Sequence, residues 1–144
     1  LSAYAAEKNV FILVENHGGL SSDAKLLARV MDEVGMDNCG VLVDFGNFCV
    51  RRENGERWDG PCVEEYDRYR GIEELMPYAH GVSAKSYAFD AEGNETSMDY
   101  PRILNIVRDS GFSGFIGVEF EGPDADPRPG MAATKSLIEQ VLMN

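Results

Sequence analysis

Short apolar runs alternate along this chain with longer stretches whose apolar residues recur at helical spacing. Phe11-Ile12-Leu13-Val14 reads as a buried strand. Ser21-Ser22-Asp23 opens a helix, because small polar side chains satisfy the free N–H groups of a first turn. Leu26, Leu27, Val30, Met31 and Val34 form its stripe, and Gly35 ends it in a left-handed cap. Val41-Leu42-Val43 is the second strand. The polar stretch over residues 51–61, with its glycines, proline and charges, is predicted as a loop. A helical segment follows near 64–76, stopping around Pro77. The third strand lies near 81–87, and Asp90-Ala91-Glu92-Gly93-Asn94 turns the chain. Asp99 caps a helix with Pro101 in its first turn, where a missing N–H costs little. Ile103, Leu104, Ile106 and Val107 are its stripe, and Gly111 ends it. Phe115-Ile116-Gly117-Val118 is the fourth strand. A Pro-rich connector over 124–130 leads to a last helix near 132–142.

The order is β-α-β-α-β-α-β-α. Such alternation implies an α/β fold of parallel strands joined by right-handed crossovers. Every strand ends in polar residues: Glu15-Asn16-His17 on the first, Asp44 on the second, Ser83 and Lys85 on the third, Glu119 and Glu121 on the fourth. Parallel α/β folds build their sites at the carboxyl ends of strands. Alternation sharpens the placement. If Ile12, Val14, Ile116, Val118 and Phe120 face the helices, then Leu13, Glu15, His17, Leu42, Asp44, Ser83, Lys85, Gly117, Glu119 and Glu121 share the other face. Charges on an enclosed face are costly unless paired or bound to metal. Glu15, Asp44 and Glu119 repel one another without a cation, and oxygen-rich ligation suits Mg²⁺ or Mn²⁺. Pairing with Lys85, or proton sharing between the acids, is the alternative.

Other residues are less specific. His17 could bind substrate or make a local hydrogen bond. His80 precedes its strand, at the opposite end of the layer, and reads as structural. Lys85 could stabilise an oxyanion, hold a substrate oxygen or neutralise the acids. Arg51, Arg52 and Arg57 could clamp a phosphate, but a solvated loop, acting as lid or interface, is the commoner outcome. Gly18-Gly19 could let backbone approach a ligand.

The 144 residues suit one domain, residues 1–144, and 44% hydrophobic content with 26% charged supports a core. The formal charge of −12 repels phosphate backbones and argues against nucleic-acid partners. No apolar run reaches the roughly 18 residues of a membrane span. Leu1 to Lys8 lack the basic start and apolar run of a signal peptide. They read as the tail of an interrupted helix, and together with the missing initiator methionine they point to an upstream segment. Cys39, Cys49 and Cys62 are odd in number and lack CxxC spacing. Three free thiols in a reducing, cytoplasmic setting are expected.

Four segments carry a resemblance: Val14-Glu15-Asn16-His17-Gly18-Gly19, Leu42-Val43-Asp44-Phe45-Gly46-Asn47, Val82-Ser83-Ala84-Lys85-Ser86-Tyr87 and Gly117-Val118-Glu119-Phe120-Glu121-Gly122. In this order they resemble strands five to eight of the xylose isomerase-like barrels, the sugar isomerase and epimerase superfamily. The resemblance implies the last four units of a (β/α)₈ barrel, a half barrel. It implies a divalent metal on Glu15, Asp44 and Glu119. The family's histidine ligand on the seventh strand falls at Ser83, which would fill that place directly or through water. A second family histidine falls at Asn47. The implied chemistry is proton transfer beside a carbonyl, with Glu15 and Glu119 as the acid–base pair acting through an enediolate. His17, Lys85 and Asn47 would contact a small sugar or sugar phosphate. A half barrel exposes its edges, so a missing first half or a second copy of the chain is the expected partner. Two rivals stand beside this reading. One is a non-catalytic sugar-binding or structural module, favoured by the two absent histidines. The other is a phosphodiesterase similar to apurinic endonucleases, disfavoured by the scarcity of histidine and by the net charge.

Overall fold

The computed structural model describes residues 1–55, 60–123 and 125–143. Arg57, the third arginine of the predicted loop, and Asp124, the start of the predicted connector, lie outside the described residues. A short helix α1 (Ser2–Ala6) leads into strand β1 (Ile12–Glu15). Then come α2 (Ala24–Val34), β2 (Cys39–Asp44), β3 (Cys49–Arg52), β4 (Cys62–Glu65), α3 (Arg68–Leu75), β5 (Ala79–Ser86), α4 (Tyr100–Asp109), β6 (Phe115–Phe120) and α5 (Arg128–Leu142).

Four strands form one sheet in the order β1-β2-β5-β6, and every pairing is parallel. The register aligns Glu15 with Leu42, Asp44 with Ser83 and Lys85 with Glu119. The polar strand ends therefore converge at one end of the sheet. Side-chain alternation sends Val41, Val43 and Phe45, and Val82 and Ala84, to the helix side. There they pack with Leu27 and Met31 of α2, Ile72 and Leu75 of α3, Leu104 and Val107 of α4 and Leu137 of α5. Burying each such side chain contributes about 1.5–3 kcal/mol, so this face holds the fold. Tyr100 is fully buried in it, donates to the Ala84 carbonyl at 3.0 Å and meets Phe45 edge to face at 5.6 Å.

The predicted caps form. Asp23 accepts from the Leu26 N–H and Asp99 from the Arg102 N–H, and Gly35 closes α2 at φ +57°. Ser21 and Ser22 belong instead to a 3₁₀ turn before the helix. Val30 and Val34, predicted as stripe residues, remain 40% and 39% exposed.

Several expectations are corrected. The stretch over 51–61 is not wholly loop: β3 pairs antiparallel with β4 as a two-stranded ribbon. The following helix starts at Arg68 rather than near 64, because Cys62–Glu65 is drawn into that ribbon and Asp67 caps the helix by accepting from Arg70 N–H. The cysteines are not three free thiols. Cys49 and Cys62 form a disulfide across the ribbon, Cα atoms 5.8 Å apart, and only Cys39 is free. The three-thiol argument for a reducing compartment falls with it. The last helix also starts earlier than predicted, at Arg128. No helix of the described residues is long and apolar enough to cross a membrane.

The two outer strands have one neighbour each, β2 for β1 and β5 for β6. Phe115 is 92% exposed, and Leu13, on the face away from the helices, is 39% exposed. Among the described residues both edges are open and that face is exposed at the outer strands, as expected of a half barrel, while Asp44, Ser83 and Lys85 on its central strands are buried.

Candidate functional site

At the carboxyl end of the sheet, β1, β2 and β6 bring Glu15, Asp44 and Glu119 together. One carboxylate oxygen from each lies within 4.8 Å of the others. The three acids predicted from alternation thus form one cluster.

Asp44 is fully buried. Its Oδ1 accepts from the N–H groups of Gly46 at 2.9 Å and Asn47 at 2.8 Å. Its Oδ2 is buried and accepts no hydrogen bond. Burial pushes the Asp44 carboxyl up to about 6, against the pull of Lys85 and the Gly46 N–H. An orphaned oxygen in a cluster of hard donors fits a divalent cation, which would restore the charged form.

Lys85 rises from β5 beside the cluster and is 1% exposed. Its Nζ stands 3.2 Å from Glu121 Oε1, 3.3 Å from Glu119 Oε1 and 4.0 Å from Asp44 Oδ1. It also donates to Asn47 Oδ1 at 3.3 Å. Burial alone would depress this ammonium, but Asp44, Glu121 and Glu119 outweigh it and hold its pKa above the ordinary value. Lys85 is therefore a fixed positive charge. It does not balance the three carboxylates beside it together with Glu15, so room for further positive charge remains.

Ser83 Oγ donates to Glu119 Oε2 at 2.7 Å. Burial would raise the Glu119 carboxyl, yet Ser83 and Lys85 prevail and hold it below its ordinary range. Asn47 bridges the site: its Nδ2 donates to Glu15 Oε1 at 3.4 Å while its Oδ1 accepts from Lys85. Glu121 follows β6 and joins through Lys85. His17, at the end of β1, is partly buried, and its backbone N–H donates to Ser21 Oγ at 2.9 Å. His80 sits at the start of β5, away from the cluster, against Phe11 with ring centroids 5.0 Å apart. Arg51 pairs with Glu64, and Arg52 donates to the Gly60 carbonyl. Both serve the ribbon.

The sequence reading missed three residues. Fully buried Asn16 donates to the carbonyls of Asp44 and Asn47 and accepts from Asp44 N–H, riveting the ends of β1 and β2. Ser22 supports the same loop, donating to the Asn47 carbonyl at 2.7 Å. Glu95, 7% exposed, accepts from the N–H groups of Tyr87, Ala88, Ser97 and Met98 and ties both ends of the loop after β5. The signal for Asn16 in the sequence was a polar residue at the same parity as Ile12 and Val14, the helix-facing positions.

Comparison with known proteins agrees with the fold. The family model described as xylose isomerase-like TIM barrel matches residues 1–140. A curated relative, the C-glycoside deglycosidase alpha subunit of Arthrobacter globiformis, is 41% identical over 49 residues, 34% of this chain and 14% of that protein. The solved structure of 3-keto-D-glucoside 4-epimerase from E. coli superposes with a TM-score of 0.65 at 14% identity, covering 96% of this chain and 49% of that one. L-ribulose 3-epimerase superposes with a TM-score of 0.66 at 16% identity, covering 99% and 50%. The chain thus spans about half the length of these solved structures, in keeping with four of eight units. On the match over residues 1–140, the chain belongs to the xylose isomerase-like TIM barrel family.

Proposed function

We propose that this chain carries the catalytic end of a sugar isomerase or epimerase that uses a divalent cation, Mn²⁺ or Mg²⁺, and a glutamate pair. The supporting observation is the cluster of Glu15, Asp44 and Glu119 oxygens within 4.8 Å, with Asp44 Oδ2 buried and unpartnered. These three residues would hold the ion, with Ser83 beside them. When bound, the cation would polarise the carbonyl and hydroxyl oxygens of the sugar.

The remaining steps belong to the chain's own groups. Glu119 is held ionised by Ser83 and Lys85 and is poised to take a proton from the carbon next to the carbonyl. Glu15, facing it from β1, returns a proton to the neighbouring carbon or to the opposite face, through an enediolate. Lys85 stays charged and stabilises the negative oxygen that develops. Asn47 and His17 orient sugar hydroxyls. The small sugar is the proposed partner, and the open sheet edges call for the other half of a barrel, from the same polypeptide or a second copy.

A non-catalytic sugar-binding module is the rival, because Ser83 and Asn47 stand where the resemblance expects histidines. Glu15→Gln in the intact protein separates the two. The proposal expects turnover of a ketose to fall by about 10³-fold or more, as for loss of an essential proton-transfer group, with binding nearly unchanged. Turnover unaffected by Glu15→Gln would overturn the glutamate-pair mechanism.

A further inference from the structure

Tyr87 continues the inward-facing line of β5. Gly81, Ser83, Lys85 and Tyr87 recur at every second position, and the last lies just past the strand end at Ser86. Its hydroxyl lies against the turn after β2: a Cβ built on Gly46 would fall 2.3 Å from Tyr87 Oη and 2.7 Å from Lys85 Cδ. Glycine at 46 is thus the gap that lets the phenol and the lysine stem lie side by side at the site. Among the described residues the Tyr87 hydroxyl makes no hydrogen bond, whereas Ser83 donates to Glu119, and Asn47 and Glu121 accept from Lys85. Burial holds the phenol pKa above its ordinary value, so the hydroxyl keeps its proton and can donate. The backbone beneath it is fixed: Glu95 Oε1 accepts from Tyr87 N–H at 3.1 Å and Ala88 N–H at 3.3 Å, while Oε2 accepts from Ser97 at 2.7 Å and Met98 at 2.8 Å.

We propose that Tyr87 contacts the sugar, its free hydroxyl donating to a substrate oxygen beside Lys85, and that Glu95 is the positioning residue that sets it there. This rests on the sugar reading above. A rigid donor next to a fixed ammonium selects sugars that present two neighbouring oxygens on that side, a carbonyl and a hydroxyl.

Equilibrium dialysis of L-ribulose and D-fructose against the intact Mn²⁺-loaded protein tests it, with Glu15 kept because it belongs to the proposed cation site. Tyr87→Phe should weaken ketose binding about 5- to 10-fold, the value of one net hydrogen bond, with Mn²⁺ affinity and melting temperature unchanged. Glu95→Gln should weaken binding in the same direction. In the Tyr87→Phe background it should add nothing, since the hydroxyl it positions is gone. Equal ketose binding with and without the Tyr87 hydroxyl would overturn the assignment of Tyr87 alone. Additive losses from the two changes would overturn the positioning role of Glu95. Failure of the parent to bind either ketose would overturn the sugar reading and this inference with it.

Discussion

Ser83 Oγ donates to Glu119 Oε2 across 2.7 Å, so the hydroxyl at the position of an expected imidazole is already committed to the carboxylate of the next strand. It stabilises the ionised form of Glu119 together with Lys85. Ser83→Ala should therefore raise the Glu119 pKa, because a donor to the charged form is lost. Carbon NMR titration of the Glu119 carboxyl would read this directly, and the acid limb of a pH–activity profile should move to higher pH. An unmoved titration would mean that Lys85 alone holds the group.

The buried Asp44 predicts an unusual pH dependence for the metal-free protein. Its folded carboxyl titrates near 6 against an ordinary 3.8. Below both values each state is protonated and folding carries no cost. As pH rises between them, the unfolded chain releases a proton that the folded chain retains, so stability falls. Above 6 the cost is complete, on the order of 3 kcal/mol. Asp44→Asn removes the titration. In chelator, the unfolding free energy of Asp44→Asn relative to the parent should rise by up to about 3 kcal/mol between about pH 4 and pH 7. A constant difference would contradict the buried, unpartnered state of Asp44.

Glu119 works the other way. Its depressed folded pKa gives stability that is present above the ordinary carboxylate value and is lost as pH falls through the folded one. Glu119→Gln should flatten the acid side of the stability profile. Paired denaturation series of the two single variants should therefore separate in opposite directions.

Glu95 is a buried carboxylate whose deletion should be costly. Glu95→Ala would strip acceptors from four backbone N–H groups at the base of the loop over residues 87–98. Charge-assisted hydrogen bonds are worth about 1.5–3 kcal/mol each, but water would satisfy some of the freed donors. A loss of about 2–4 kcal/mol is expected from chemical denaturation. Hydrogen exchange should quicken at Tyr87, Ala88, Ser97 and Met98 before it does in β2.

The Cys49–Cys62 bridge joins residues 13 apart in sequence. Closing a loop of that order stabilises by roughly 3 kcal/mol in the chain-entropy description. Cys49→Ser with Cys62→Ser should lower the melting temperature, and a thiol reductant should lower the parent to the same value. A parent indifferent to reductant would show that the two sulfurs are not joined in solution.

Much of this was legible from residue order. Strand alternation placed Glu15, Asp44, Ser83, Lys85 and Glu119 on one face, because a parallel sheet buried on its helix side leaves the alternate residues together. Caps at Asp23 and Asp99 were readable because a single side-chain oxygen decides a helix start. The β3–β4 ribbon was not. Its residues are charged and partly exposed, and what holds it is a disulfide and cross-strand contacts that spacing alone does not reveal. Glu95 was missed for a similar reason. It does its work through backbone N–H groups eight residues and fewer away, where no side-chain pattern records it.

Mn²⁺ titration of the chelator-treated protein, by calorimetry with melting in parallel, reads out the proposed carboxylate site for a divalent cation. Binding near one ion per chain is expected, with a raised melting temperature reversed by chelator and loss of both in Asp44→Asn. No heat of binding and no change in melting would contradict the proposal, leaving Lys85 as the counter-charge that the described residues offer the cluster.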